Sequence, residues 1–478
     1  KDSMWYKHYD KEFDKTWIWD AHCYMKPLLN VYNKTIEITN NLIQNKMIWN
    51  PSVECMDRES MRKLQSERLR KVVERVYNNC EPYRKRMEEA GVTPEDINSI
   101  DDIVKLPFTS KKDLRDYYPF GLLSAPKEEI IRIHASSGTT GKPIVVGYTR
   151  NDIANWNEAG ARCLSAYGLG KQDVIQVAYG YGLFTGGLGA HGACETIGAV
   201  TIPISAGNTE KQMLMMHDLQ ATALACTPSY ALYLAESLEK SGLKDKMNLK
   251  VGVFGAEPWT EQMRKEIENK LGIKAYDIYG LTEISGPGVG HECECQCGTH
   301  ICEDLFFPEI IDPETGERLP DGSVGELVFT TLTKEGMPLI RFRTRDLTRL
   351  IYDKCECGRT SVRMEKIMGR SDDMLIIRGV NVFPSQVEAV LCEVEEFEPH
   401  FFITVDRVNN TDTFDIKVEV KEEYYTDEIS GMVKLQKKLA ARLQSVIGLQ
   451  PNIILAEPRS MERSQGKAKR ALDKRKLQ

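Results

Sequence analysis

Apolar and polar positions follow two different rhythms along this chain, and each change of rhythm marks an element. From Asp57 to Ala90 an apolar stripe, Leu64, Leu69, Val72, Val73 and Val76, recurs at helical spacing. It predicts a helix with Asp57 and Glu59 at its start and Gly91 as its stop. Thr109-Ser110-Lys111-Lys112-Asp113 has the form of a capped helix start. Apolar, β-favouring runs then follow at Ile130–Ile133, Ile144–Tyr148, Val174–Tyr179, Ala199–Ser205, Thr222–Cys226 and Leu249–Phe254. Helical patterns lie between them, as at Lys211–Leu219 and Tyr230–Leu238, while Gly180–Gly192 reads as a glycine-rich stretch. Such alternation predicts a parallel or mixed sheet covered by helices, with ligands beyond the carboxyl ends of its strands.

From Glu309 to Ile351 the pattern changes to β-hairpins, with turns at Asp312-Pro313-Glu314-Thr315-Gly316 and Pro320-Asp321-Gly322. A boundary is expected near Gly369-Arg370-Ser371-Asp372-Asp373. Beyond it come a helix (Pro384–Val394), two strands around Asn409-Asn410-Thr411-Asp412, a helix (Thr426–Ile447) and a strand (Asn452–Ala456). The expected class is therefore α/β. A large domain (47–370) of mixed sheets, helices and a β-rich part precedes a small α+β domain (371–478). Residues 1–46, with Trp5, Tyr6, Tyr9, Phe13, Trp17 and Trp19, read as an extension of a different character. The alternative is an accessory helix from Pro27 to Gln44, and Met47-Ile48-Trp49-Asn50-Pro51 looks like a start.

Composition narrows the class. The chain has 478 residues, 28% charged and 41% hydrophobic, which suits a globular protein of more than one domain. A net charge of −7 does not favour nucleic acid or an anionic membrane. No apolar run is long enough to span a bilayer, and no secretory signal is evident. Thirteen cysteines point to reduced thiols in a cytoplasmic compartment, some of them near a metal.

The most informative stretch is Ser136-Ser137-Gly138-Thr139-Thr140-Gly141-Lys142-Pro143, set between two apolar runs. Its glycines admit a ligand close to the backbone, and its hydroxyls and the Lys142 ammonium are donors suited to polyphosphate. It is not a P-loop, which needs four residues between its glycines and Ser or Thr after the lysine.

These residues, followed by Tyr279-Gly280-Leu281-Thr282-Glu283, Arg343-Thr344-Arg345-Asp346, Gly369-Arg370-Ser371-Asp372-Asp373 and Gly466-Lys467, occur in the order of the acyl-adenylate-forming, AMP-binding superfamily. Ala178–Gly187 and Ile376–Pro384 narrow the resemblance to the phenylacetate–CoA ligase family, from about Met47 onward. The resemblance implies an adenylate-forming large domain and a mobile small one. It also implies two half-reactions: a carboxylate attacks the α-phosphate of ATP, then CoA thiol takes the acyl group and AMP leaves.

The same resemblance supplies roles. The loop Ser136–Lys142 would hold the β- and γ-phosphates. Thr282 would meet the α-phosphate and Glu283 would hold Mg²⁺, which prefers carboxylate, phosphate and water oxygens. Gly255-Ala256-Glu257-Pro258 and Asp277-Ile278-Tyr279, with Gly280, would frame the adenine. Asp346 would accept the ribose hydroxyls, against the alternative of an ion pair with Arg343 or Arg345. Arg370 would help place ribose or phosphate, Asp372 would be the hinge, and Lys467 would bridge carboxylate and α-phosphate. Tyr181, Phe184, Thr185, Gly186 and Gly187, with Gly189, Ala190 and His191, would line the acyl pocket. A homodimer binding only small molecules (ATP, an aryl acid, CoA) is expected. Enzymes with another acceptor, a carrier-protein thiol or the deazaflavin-coenzyme synthetase type, share the nucleotide motifs. A zinc-stabilised nucleotide-binding module without catalysis is the third reading, opposed by Glu283, Asp346 and Lys467.

One cluster stands apart. His291-Glu292-Cys293-Glu294-Cys295-Gln296-Cys297-Gly298-Thr299-His300 and, far along the chain, Cys355-Glu356-Cys357-Gly358 have the short spacings of a closed tetrahedral zinc site. The preferred set is Cys293, His300, Cys355 and Cys357 in a structural role. Cys295 or Cys297 compete with Cys293 for its place.

Overall fold

The computed structural model describes residues 47–136, 143–371, 375–378, 380–408, 411–426, 428–462 and 470–476. Residues 1–46, Ser137–Lys142, Asp372 and Lys467, with the roles expected of them above, lie outside these.

The described residues begin with a short helix α1 (Pro51–Glu54), then α2 (Arg58–Asn79) and α3 (Glu81–Glu89). The single helix expected from Asp57 to Ala90 is thus two. Pro82 in the first turn of α3 cannot continue the preceding helix, and Cys80 takes an extended conformation between them. Asp57 caps α2 by accepting from the Ser60 amide. Helix α4 (Lys111–Asp116) begins at Ser110, whose hydroxyl and amide both meet the Asp113 carboxylate at 2.7 Å.

Strands β1 (Arg132–Ala135) and β2 (Val145–Tyr148) pair antiparallel across the glycine-rich loop. Helix α5 (Arg150–Ala166) and strand β3 (Val174–Val177) follow. The chain next forms α6 (Thr185–Thr196), β4 (Val200–Ile202), α7 (Thr209–Asp218), β5 (Ala223–Cys226) and α8 (Pro228–Ser241). It continues through β6 (Val251–Gly255), α9 (Glu261–Leu271), β7 (Lys274–Leu281), β8 (Gly286–His291) and β9 (Thr299–Ile301). Most of what reads as a glycine-rich stretch is therefore helix α6. Its small residues allow close packing on α5: a Cβ on Gly189 would stand 2.4 Å from Trp156, and one on Gly192 would stand 2.2 Å from Asn157.

The β-rich part is β10 (Phe306–Ile311), β11 (Gly325–Thr331) and β12 (Phe342–Thr348), then β13 (Leu350–Ile351), β14 (Arg363–Met364) and β15 (Gly369–Arg370). Strands β10, β11, β12 and β15 form a four-stranded antiparallel sheet. A nine-stranded mixed sheet runs in the order β13-β14-β9-β8-β7-β6-β5-β3-β4, parallel from β4 to β7 and antiparallel beyond.

The C-terminal part carries the small β16 (Leu375–Ile377) and β17 (Val380–Val382) pair, α10 (Pro384–Glu393), β18 (Phe397–Val408) and β19 (Thr411–Val420). Helix α11 (Ile429–Ile447), β20 (Asn452–Ala456) and β21 (Ala471–Asp473) complete it. Its own core gathers Ile403, Val405, Ile416, Val418, Leu439 and Leu443, all fully buried, so this part has an apolar interior separate from that of the large sheets. No helix of the described residues is long and apolar enough to cross a membrane.

Candidate active site

Parallel strands β5, β6 and β7 end side by side, and their carboxyl ends carry Thr227, Gly255–Pro258 and Tyr279–Glu283. The backbones are in close contact there: a Cβ on Gly255 would lie 2.1 Å from the Ile278 carbonyl oxygen. Ala256 adopts φ +72, a conformation that L residues avoid and that turns the chain sharply after β6. Glu257 reaches away to accept the Ser229 amide at 2.8 Å, at the start of α8. Asp277 sits inside the ladder, its amide on Glu292 at 2.8 Å and its carbonyl taking the Tyr167 hydroxyl at 2.8 Å. Desolvation first, and the Glu292 carboxylate next, push the Asp277 carboxyl up to about 6.

Tyr279 donates its hydroxyl to one oxygen of Asp346 at 2.6 Å, and Arg370 donates to the other at 3.0 Å. Desolvation and the Asp346 carboxylate push the Tyr279 phenol well up, so it stays a donor. The alternative sequence partners of Asp346 are engaged elsewhere: Arg343 and Arg345 reach Glu326 at 2.6 and 3.3 Å. Strand β12 alternates buried and half-buried positions, and that period sets Asp346 apart from these neighbours. A carboxylate, a phenol and a guanidinium thus meet at the seam between β7, β12 and β15.

Thr282 and Glu283 follow directly on the turn from β7 to β8, and both are buried. The Thr282 hydroxyl lies 3.1 Å from that of Thr185, the first residue of α6. A Glu283 carboxylate oxygen lies 3.5 Å from the Lys111 ammonium, on the first turn of α4. Behind the turn stand Tyr148 and Lys334, also buried. Nothing in the linear pattern links Lys111, Tyr148 or Lys334 to Glu283; they come from three distant elements, and only folding joins them.

Ser136 closes the base of the glycine-rich loop, its amide donating to the Ile144 carbonyl at 2.9 Å. The Ala135 amide donates to the Leu183 carbonyl at 2.8 Å, which binds the loop base to the segment leading into α6. In that segment Tyr181 contacts His191 Nδ1 at 3.2 Å, and Phe184, partly exposed, is the residue before α6. Thr185, Gly186 and Gly187 are buried at the start of that helix. The base of the glycine-rich loop, the segment leading into α6 and the Thr282–Glu283 turn are therefore tied together by hydrogen bonds.

Just past the His291 end of β8 and within β9, Cys293 and His300 meet Cys355 and Cys357: the four place one ligand atom each within 4.8 Å of one another, all four buried. Sγ of Cys293 and Sγ of Cys355 are 3.6 Å apart, and Cys357 Sγ is 3.4 Å from His300 Nε2. A tetrahedral zinc with ordinary bond lengths would set such edges at about 3.5–3.8 Å, so the donors fit the ion. His300 Nδ1 contacts the Ser361 hydroxyl at 3.0 Å, which orients the ring and leaves Nε2 as ligand. The hydrogen bond from Cys293 and the neighbouring His300 hold the Cys357 thiol far below its usual range, in the form a metal takes. Cys297 lies 3.5 Å from Cys355 but is exposed and engaged by Arg363 at 2.8 Å, outside the buried set. The loop after Cys357 receives the start of the described chain: Arg359 pairs with Glu54 at 2.7 Å and the Thr360 amide donates to the Glu54 carbonyl.

Residues 52–332 match the model of the AMP-binding enzymes, and residues 379–475 match the AMP-binding enzyme C-terminal domain. Over 445 residues the chain is 49% identical to a phenylacetate–coenzyme A ligase of Thermus thermophilus, covering 90% of this chain and 100% of that one. It belongs to the phenylacetate–CoA ligase family. Membership makes it an AMP-forming acid–thiol ligase, which joins an aryl acid to CoA by way of an acyl-adenylate. Among solved structures, a 2-hydroxyisobutyryl-CoA ligase in the postadenylation state, holding an acyl-AMP, superposes with a TM-score of 0.84 at 29% identity. That match covers 90% of this chain and 93% of the other. The same ligase in its thioesterification state, with CoA, gives 0.67 at 30% identity, covering 90% and 94%. The fold class expected from the sequence, α/β with sheets covered by helices, a β-rich part and an α+β C-terminal part, is the observed one.

Proposed function

We propose that the acid is phenylacetate or a closely related aryl acetate, and that the crevice at the ends of β5, β6 and β7 carries both half-reactions. The observation that carries this reading is the meeting of Asp346, Tyr279 and Arg370 at the end of β7, directly before the turn that bears Thr282 and Glu283. Asp346 accepts the ribose hydroxyls while Tyr279 and Arg370 hold its carboxylate in place. Tyr279 and residues 255–258 frame the adenine. Thr282 donates to the α-phosphate. Glu283 is the carboxylate that would hold Mg²⁺, whose chemistry is to offset phosphate charge as the carboxylate approaches. Glu283 fits that ion as a buried carboxylate directly beside the Thr282 hydroxyl in the chain. The loop Ser136–Lys142 takes the β- and γ-phosphates, and Lys467 bridges the two reacting anions.

The acyl oxygen displaces pyrophosphate from the α-phosphorus, and the CoA sulfur later displaces AMP from the acyl carbon. Tyr181 and Phe184 give the aromatic ring its walls, and Thr185, Gly186 and Gly187 leave it room. Asp372 is the pivot between a large domain (47–370) and a small one (371–478). The higher TM-score against the postadenylation state supports an arrangement close to that stage. The sulfur–imidazole cluster holds structural zinc, four protein ligands leaving no open position. The enzyme works as a cytoplasmic homodimer on small molecules, and the described cysteines, all free thiols, suit a reducing compartment.

ATP–pyrophosphate exchange across a panel of aryl, indolyl and short-chain acids tests the reading, followed by thioester formation with and without CoA. Phenylacetate should give the highest kcat/KM. Lys467→Ala should abolish exchange yet convert supplied acyl-adenylate to thioester. Preference for a short-chain acid, or equal loss of both half-reactions in Lys467→Ala, would overturn it.

A further inference from the structure

The turn that carries Thr282 and Glu283 presents four consecutive carbonyls, from Thr282 to Ser285, to the interior. Two side chains from distant parts of the chain meet them. The Tyr148 hydroxyl hydrogen is shared between the carbonyls of Thr282, at 3.3 Å, and Ser285, at 3.1 Å. The Lys334 ammonium donates to the carbonyls of Glu283, at 3.3 Å, and Ile284, at 2.7 Å. The ammonium also lies 4.6 Å from the centroid of the Tyr148 ring, so the two side chains brace each other.

Each is fixed by its own surroundings. Tyr148 stacks on Trp156 at 5.3 Å and meets His134 edge-on, and the Trp156 indole donates to the Pro287 carbonyl at 2.7 Å, just past the turn. The backbone beside Lys334 is pinned by Asp152, whose two carboxylate oxygens accept the amides of Glu335 at 2.7 Å and Gly336 at 2.9 Å. A buried carbonyl without a partner is costly, so a turn with all four satisfied from one side has one preferred position.

We propose that Tyr148 and Lys334 are positioning residues for adenylation: together they hold the carbonyls of residues 282–285 and so aim the Thr282 hydroxyl and the Glu283 carboxylate. This rests on the roles given above to Thr282 and Glu283. Tyr148 and Lys334 are buried and meet the turn through its backbone carbonyls. Their contribution is geometric, and it is felt where the metal and α-phosphate are gripped.

The test compares Tyr148→Phe, Lys334→Met and Glu283→Gln in the full chain, measuring ATP–pyrophosphate exchange against total Mg²⁺ and correcting for folded fraction by thermal melting. Tyr148→Phe keeps the ring and its stack on Trp156 and removes only the shared hydroxyl. Both positioning variants should lose roughly tenfold in exchange kcat, the equivalent of one or two misplaced contacts. Both should also need several times more Mg²⁺ for half-maximal rate, with the KM for the acid nearly unchanged. A purely structural role would lower the folded fraction and leave the Mg²⁺ requirement of the folded enzyme where it was, and that result overturns the proposal. If Lys334→Met does not fold, Tyr148→Phe decides alone. Glu283→Gln separates the two levels: wild-type Mg²⁺-dependent exchange in that variant defeats the role given to Glu283, whereas its loss alongside wild-type behaviour of Tyr148→Phe and Lys334→Met defeats only the positioning.

Discussion

Replacing Gly280 by alanine probes how closely the turn that bears Thr282 and Glu283 depends on its strands. Gly280 is the second-last residue of β7, opposite Pro287 and next to a register shift at Tyr279. A Cβ there would stand 1.9 Å from the Gly286 carbonyl oxygen, 2.6 Å from Gly286 C and 2.8 Å from Pro287 Cα. All three are backbone atoms, so no side chain can swing away. Ordinary contact begins at 3.4 Å, and β7 and β8 must therefore part by roughly 1.5 Å. That displacement falls two residues before Thr282 and three before Glu283. Misplacement by about 1 Å at a reacting centre can cost about a hundredfold in rate, and overpacking of this kind costs about 1–3 kcal/mol of stability.

The expected result for Gly280→Ala is thus an exchange rate down by about two orders of magnitude per folded molecule. Gly252→Ala is the comparison, because its Cβ would press a side chain instead, the Phe254 ring at 2.3 Å, on β6 and away from the turn. It should lose stability of a similar size while keeping most of its exchange activity per folded molecule. The measurement is steady-state ATP–pyrophosphate exchange with phenylacetate, paired with thermal melting of both variants. If Gly280→Ala exchanges within threefold of wild type, the rigid coupling of this ladder to Thr282 and Glu283 is wrong.

Two further outcomes follow from other parts of the molecule. Elemental analysis of untreated protein should find one zinc per chain, and a strong chelator should lower the melting temperature, as should Cys355→Ser; protein free of zinc and indifferent to chelation would refute the metal site. Glu388, on α10, is buried, faces Arg470, Glu257 and Lys366, and is pushed up to about 7, chiefly by desolvation. Its folded value lies above its unfolded one, so the folded state binds the extra proton between about pH 4.5 and 7 and loses stability as pH rises through that window. Relative to Glu388→Gln, the wild type should weaken by about 3 kcal/mol between pH 4.5 and 8 in denaturant titrations, and a constant difference would contradict the assignment.

How far the fold could be read in advance depended on where the physics was local. The strand Asn452–Ala456 and the helix beginning at Pro384 appear at the expected bounds, because proline and β-branched residues act on their own neighbourhood. The break at Cys80 was missed because the apolar stripe runs on through it while Pro82 interrupts the hydrogen bonding. Helix α6 was missed for the opposite reason: glycine disfavours helix locally, and only packing against Trp156 and Asn157 makes it the residue that fits. The grouping of Cys293, His300, Cys355 and Cys357 was legible because sulfur and imidazole recur at short spacing, and the preference for Cys293 over Cys297 agrees with its burial. The partners of Asp346 could not be read in advance, since Tyr279 and Arg370 reach it from other strands. Lys334 left no trace at all: its partners lie about fifty residues back and only the folded chain presents their carbonyls.

The sulfur cluster also bears on time. Cys293 and Cys355 are 62 residues apart, and the segment between them holds β10, β11 and β12 with their hairpins. An ion that stays on these thiolates after unfolding ties a loop whose closure would otherwise cost the chain about 4 kcal/mol in entropy. The β-rich sheet would then search for its register inside a closed ring, with its ends already together. Refolding from denaturant should be faster when zinc is retained than after chelation, and equal rates would show that the ion leaves before the search begins.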